Sequence, residues 1–187
     1  SIFVLLRLWN YLRIVVFQIS WNRSSLRFGN GVQFYTPVRF TGLGTIVVDD
    51  GVSFGHEKSQ GCFTGSILID ARCADSSIFI GKDCAIGNNC TVIAFSSVIS
   101  IERNCLLGPG VIIVNSDFHP LNPAMRRQKP ESSPVRIGQN VTFGFSSIVL
   151  KGVDIGRDCF VGAGAVVTKS FPAMQKIFGN PARSSPL

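Results

Sequence analysis

The chain has 187 residues, 45% hydrophobic and 16% charged, with 19 Gly, 9 Pro and 6 Cys. That supports one domain with a sizeable core and excludes intrinsic disorder. Eighteen Lys and Arg against eleven Asp and Glu give +7, which favours anionic partners, yet no basic run interleaved with aromatics points to nucleic acid.

Residues 1–27 read as an N-terminal amphipathic helical segment. A membrane-spanning helix needs about twenty apolar residues with few charges. Arg7 and Arg13 stand near the middle of the apolar stretch, each costing about 2.5–3.5 kcal/mol on insertion. Helical spacing places Val4, Leu8, Leu12, Val15 and Ile19 on one face and Arg7, Asn10, Arg13 and Gln18 on the other, with Phe3, Leu6, Ile14 and Phe17 spilling over. Two placements stay open. The helix packs on the domain core, or residues 1–21 lie on an anionic membrane surface. No small-residue cleavage site follows, so a cleaved signal peptide is not expected.

From residue 28 the chain repeats with a period of six. Phe28, Phe34, Phe40, Ile46 and Val52 form one phase, and Leu68, Ala74, Ile80, Ile86, Val92 and Val98 a second. Ile101, Leu107 and Ile113 form a third; Ile137, Phe143, Val149, Ile155, Val161 and Val167 form a fourth. Gly repeatedly follows the apolar position, as at Gly87, Gly108 and Gly144, and a small or β-branched residue comes four places after it, as at Cys84, Val111 and Ala165. Six suits neither an α-helix nor a hairpin. It suits a triangular coil with one short strand per side, the apolar residue pointing into a shared prism and Gly easing the corners. Coils stacked about 4.8 Å apart pair their backbones and bury one another's edges. The expected fold is all-β, a parallel β-helix over residues 28–172 with a tail at 173–187.

The breaks in phase carry information. Residues 56–65 read as a small extruded loop, and a step of three from Val98 to Ile101 resets the register. Residues 115–134 follow no hexad and hold Pro120, Pro123, Pro130 and Pro134 with Arg126, Arg127 and Lys129. A loop this long in a tight repeat is a functional element. The six cysteines contain no C-x-x-C pair, and Cys84, Cys90, Cys105 and Cys159 recur at one hexad position. They read as small buried hydrophobes in a reducing compartment, so the protein is expected in the cytoplasm, with residues 1–21 a candidate contact to the inner membrane face.

The hexads resemble the hexapeptide-repeat acyltransferases, whose fold is the left-handed parallel β-helix. Within residues 80–183 the motifs resemble the galactoside, maltose and xenobiotic O-acetyltransferase group. They are Asp117-Phe118-His119-Pro120, the basic loop with Arg126, Pro134 to Val141, Gly162-Ala163-Gly164, Thr168-Lys169 and Gly179-Asn180-Pro181-Ala182-Arg183. Thr142 stands where family members often carry Trp, which implies a differently shaped wall. The N-terminal segment is closer to members that modify lipopolysaccharide, capsule or other surface glycans.

The resemblance implies an acetyl-CoA-dependent O-acetyltransferase acting on a sugar hydroxyl, with His119 as catalytic base. Such a transfer needs one group to take the hydroxyl proton and to return a proton to the leaving thiolate, and an imidazole does both near neutrality. Asp117 either orients that imidazole or serves the loop backbone. His56, beside Glu57 and Lys58, reads as structural or as part of an acceptor rim. The resemblance makes Asn88 the acceptor-binding residue; the other reading is that Asn88 and Asn89 fill a corner turn. Ala163, Thr168, Lys169 and Arg183 are implied as coenzyme A contacts, the cations meeting phosphate. Two histidines are too few for a three-His zinc site, so no metal is expected. The implied assembly is a homotrimer with sites between subunits. Alternatives are an N-acyltransferase acting on an amino sugar nucleotide and a catalytically silent β-helix scaffold.

Overall fold

Apolar side chains six residues apart stay inside a three-sided coil only if eighteen residues close one turn. The computed structural model, which describes residues 2–19 and 25–187, does this in its last turns, where Ile137 lies over Ile155 and Phe143 over Val161. The first coil is β1 (Leu26–Phe28), β2 (Gln33–Phe34) and β3 (Val38–Gly42), and the second is β4 (Thr45–Val48), β5 (Ser53–Phe54) and β6 (Ile67–Ala71). The third is β7 (Ser77–Ile80), β8 (Ala85–Ile86) and β9 (Thr91–Ala94), and the fourth is β10 (Val98–Ile101), β11 (Leu106–Leu107) and β12 (Ile112–Val114). β13 (Val135–Ile137), β14 (Thr142–Phe143) and β15 (Ile148–Val149) follow, then β16 (Asp154–Ile155), β17 (Phe160–Val161) and β18 (Val166–Val167).

Each strand pairs in parallel with its counterpart in the next coil, giving three sheets that form the prism faces. The first face runs from β1 to β16, the second from β2 to β17 and the third from β3 to β18. Residues 173–187, expected as a tail, carry two strands. β19 (Gln175–Phe178) adds to the second face beside β17, and β20 (Arg183–Pro186) closes it antiparallel.

The third and fourth apolar phases fill the prism as the repeat requires, from Ile101 and Leu107 to Val161 and Val167, all buried. The upper coils hold aromatics instead: the Phe34 ring stacks on Phe54 at 5.3 Å, and Phe40 meets Phe54 edge-on at 5.5 Å. Three positions of the second phase depart from the expected pattern. Leu68 is half-buried and Ala74 and Val98 are exposed, because Ile67, Ile69, Ile78 and Ile99 take the inward places. The cause is a longer corner at residues 72–76, where Cys73 N donates to Ser76 Oγ and Gly44 N to the Ala71 carbonyl, shifting the phase on either side.

Helix α1 (Ile2–Ile19) lies against β3 and the 56–65 loop. It docks by its polar residues. Asn10, buried, donates to the Tyr35 carbonyl at 2.9 Å, Arg13 donates to the Gly65 carbonyl, and Arg7 pairs with Glu57 at 3.4 Å on the surface. The stripe begun by Val4, Leu8 and Leu12 faces outward. Of the two sequence expectations, the helix sits on the domain, but by its polar side and with the apolar face open. Among the described residues no helix is long and apolar enough to cross a membrane.

Candidate active site

The 115–134 loop leaves the prism at the corner between third and first faces and is fastened at its base. Asn115, fully buried, accepts the Phe95 N–H at 2.7 Å on Oδ1, and its carbonyl accepts the Ser133 N–H at 2.9 Å. Ser116 donates to the Glu131 carbonyl at 2.8 Å and pairs across the loop with Ser132. From the next coil, Lys151 donates to Asp117 at 2.6 Å and to Glu131 at 3.1 Å, tying both limbs together. These two bonds hold the Lys151 ammonium above its ordinary pKa, the Asp117 bond contributing most.

Phe118 takes a left-handed φ of 59°, and the Arg72 guanidinium lies 5.0 Å from its ring centroid. Arg72 is itself held by Asp70 at 2.9 Å. The turn at Phe118 leaves His119 exposed at the head of a clamped loop. Of the two roles open for Asp117, the structure supports service to the loop, since Lys151 takes its carboxylate.

Asn88 departs from the expected acceptor contact. It is fully buried, its Nδ2 faces the carbonyls of His56, Ser59 and Gln60 at 3.1 Å each, and its Oδ1 accepts the His56 N–H at 2.9 Å. No polar atom is left for a sugar. The residue anchors the 56–65 loop instead, because a buried amide must satisfy all its groups locally. The corner-turn reading holds for Asn89, at φ 61°.

That loop walls a groove of about 590 Å3 on the second face, with Tyr35 at one end, Phe145 at the other and His56 and Glu57 on the rim. Its floor follows the corner between second and third faces, where close stacking demands glycine. A Cβ on Gly108 would lie 2.7 Å from the Phe143 carbonyl oxygen, and one on Gly144 would lie 2.4 Å from the Ala163 nitrogen. The glycines needed here supply space rather than unusual torsions, a reason the repeat alone did not give. Tyr35 and Phe145 escaped sequence reasoning because neither falls on an inward hexad position. Lys151 and Arg72 escaped it because the loop residues they meet, Asp117, Glu131 and Phe118, are distant in sequence.

Of the implied coenzyme A contacts, Thr168, Lys169 and Arg183 line one depression of about 310 Å3 near the end of the coil, together with Pro181 and Ala182. Ala163 stands apart, exposed beside Gly144 at the lower end of the glycine-lined corner. The loop that carries His119 leaves a different prism edge from the one the groove follows, and His119 is not among the residues that line the groove.

Residues 77–114 and 134–169 match the family described as the hexapeptide repeat of succinyl-transferase, the two segments flanking the clamped loop. Over those two segments the chain is similar to that family, and its three-sided coil has the fold of a left-handed parallel β-helix. The chain is also similar to the galactoside O-acetyltransferase of Escherichia coli, 32% identical over 109 residues that make 58% of this chain and 53% of that one. It spans about half the length of the curated relatives it matches. The solved structure of the polySia-specific acetyltransferase NeuO is similar in fold, with TM-score 0.58, 23% identity and 90% and 87% of the two chains covered. A galactoside acetyltransferase solved in complex with coenzyme A gives TM-score 0.52, 20% identity and 97% and 80% coverage.

Proposed function

We propose that the protein is an acetyl-CoA-dependent O-acetyltransferase for a sugar hydroxyl in surface polysaccharide synthesis, with His119 as general base. The observation that carries this is the placement of His119: exposed, on the long 115–134 loop that interrupts the coil and is tied at both limbs by Lys151. The imidazole takes the proton of the attacking hydroxyl as oxygen bonds to the thioester carbon. It returns that proton to sulfur as the carbon–sulfur bond breaks. Thr168, Lys169 and Arg183 form a cationic depression fit for the phosphates of coenzyme A. Ala163, at the corner where side chains are smallest, lets the pantetheine arm approach the backbone. Tyr35 and Phe145 offer ring faces to a sugar at the two ends of the groove.

The site closes between chains. His119 and the groove occupy different edges of one prism, so packing three prisms about a threefold axis supplies each groove with a neighbour's His119. Six free cysteines, five of them buried, support a reducing, cytoplasmic setting. Polysaccharide as acceptor draws on the polySia specificity named for NeuO.

The test is thiol release from acetyl-CoA with a panel of glycans. Turnover should appear with one acceptor class and fall about 10²–10⁴-fold in His119→Ala. Equal rates in both proteins would remove the mechanism. Transfer to amino sugar nucleotides alone would reassign the acceptor, and coenzyme A binding without any transfer would leave a scaffold.

A further inference from the structure

The outer face of α1 has no part in the transfer reaction. At 100° per residue, Val4, Leu5, Leu8, Trp9, Leu12, Val16 and Ile19 fall within an arc of about 140°. All seven are between 53% and 70% exposed. The arc carries no charge. Arg7 borders it on one side and Arg13 on the other, both reaching to the domain, and Asn10, buried against the Tyr35 carbonyl, lies opposite. A surface helix normally buries its apolar stripe in its own domain. Here Asn10 and Arg13 do the docking, so the stripe is presented outward as a contiguous apolar patch of the kind that marks an interaction surface.

Charge identifies the occupant. The first 48 residues contain five Arg and neither Asp nor Glu. Arg27 on β1 and Arg39 on β3, the strand α1 packs against, are both exposed. A second copy of the helix could cover the stripe, but a two-fold contact would press these like-charged belts together. An anionic lipid surface satisfies both features, taking the apolar arc to the acyl boundary and the Arg belt to the headgroups. Trp9 on the arc and Tyr11 on its border suit the interface, where a ring can be buried with its polar end wet.

We infer that α1 is an interfacial anchor that seats the protein on an anionic membrane leaflet. The anchor makes no use of His119, so its failure and that of the transfer reaction are separable.

The experiment is flotation of the full chain with phosphatidylcholine vesicles prepared with and without phosphatidylglycerol. The protein should float with the anionic vesicles and much less with the neutral ones. Leu8→Glu with Leu12→Glu should reduce flotation at least about tenfold. Arg27→Gln and Arg39→Gln, which leave α1 intact, should each weaken anionic-vesicle binding about fivefold. Acetyl-CoA turnover on a soluble glycan reports whether each variant is folded and active, independently of lipid. Failure to float with anionic vesicles, or flotation indifferent to the Leu8 and Leu12 pair, would overturn the inference. So would a particle that shrinks in sedimentation on the Leu8 and Leu12 changes without ever binding lipid, since the face would then belong to a second copy.

Discussion

Lys151→Gln tests whether the His119 loop is positioned by its clamp. Lys151 and Asp117 are 25% and 27% exposed in their side chains, whereas Glu131 is 87% exposed. The Glu131 contact is therefore worth about 0–1 kcal/mol, and the shorter, better shielded Asp117 contact about 1–2 kcal/mol once solvent screening is allowed for. Gln keeps the stem and removes the charge. Asp117 is exposed enough to rehydrate, so the thermal midpoint should stay near that of the parent. The loss should appear locally, as kcat lowered about 5–30-fold, the rate equivalent of 1–2 kcal/mol, with KM for acetyl-CoA little changed. Trypsin should cut faster after Arg126 and Arg127, both exposed within the loop. The pH dependence follows from the raised Lys151 pKa. The clamp is complete below the ordinary lysine value and is lost only as pH rises through the higher folded one, so its contribution should be flat across neutrality. A double-mutant cycle with Asp117→Asn isolates the pair. Unchanged kcat and unchanged trypsin cleavage would refute the positioning role.

Two further outcomes follow from the prism itself. Phe143, fully buried between Leu107 and Val161, should cost about 3–5 kcal/mol on substitution by Ala, read as a lower urea midpoint, because stacked coils leave little room for collapse around the void. Titration with an aromatic disulfide in the native protein should modify the half-exposed Cys73 quickly and the other five thiols only on unfolding. Burial pushes the Cys90 thiol up to about 12 and, with Glu57 adding to it, raises that of Cys62; rapid modification of Cys90 in folded protein would contradict this.

The architecture was legible because the hexad is a direct record of which way a side chain points. From Ile101 to Val167 every apolar position of the third and fourth phases is inside. Legibility failed where the coil changes length. The widened corner at residues 72–76 turned Ala74 outward, and a six-residue count cannot register one extra turn. The His119 loop was visible as a gap in the repeat, but its clamp was not, since Lys151 and Arg72 come from other coils. Asn88 shows the limit most clearly. Its residue type suited a sugar hydroxyl, and only burial beneath the 56–65 loop shows that its amide is already committed. The helix failed differently: periodicity separated its two faces correctly but could not say which one met the domain.

The separation of His119 from the groove admits a decisive test by complementation. Phe145→Asp places a charge at the end of the groove, on a side chain already exposed, and so should abolish transfer without unfolding the coil. His119→Ala should abolish it from the loop. If each site joins one chain's loop to another's groove, a chain with intact His119 and a spoiled groove can serve a chain with an intact groove and no His119. In a mixed trimer, whichever variant is in the majority, one site in three then joins an intact loop to an intact groove, so about a third of the sites are restored. If both elements acted within one chain, every site in the mixture would carry one lesion and activity would stay at the level of the single variants. Co-expression, followed by purification through a tag on each variant and thiol-release measurement, separates these outcomes. An inactive mixed assembly would refute the shared site while leaving the fold and the clamped loop as they stand.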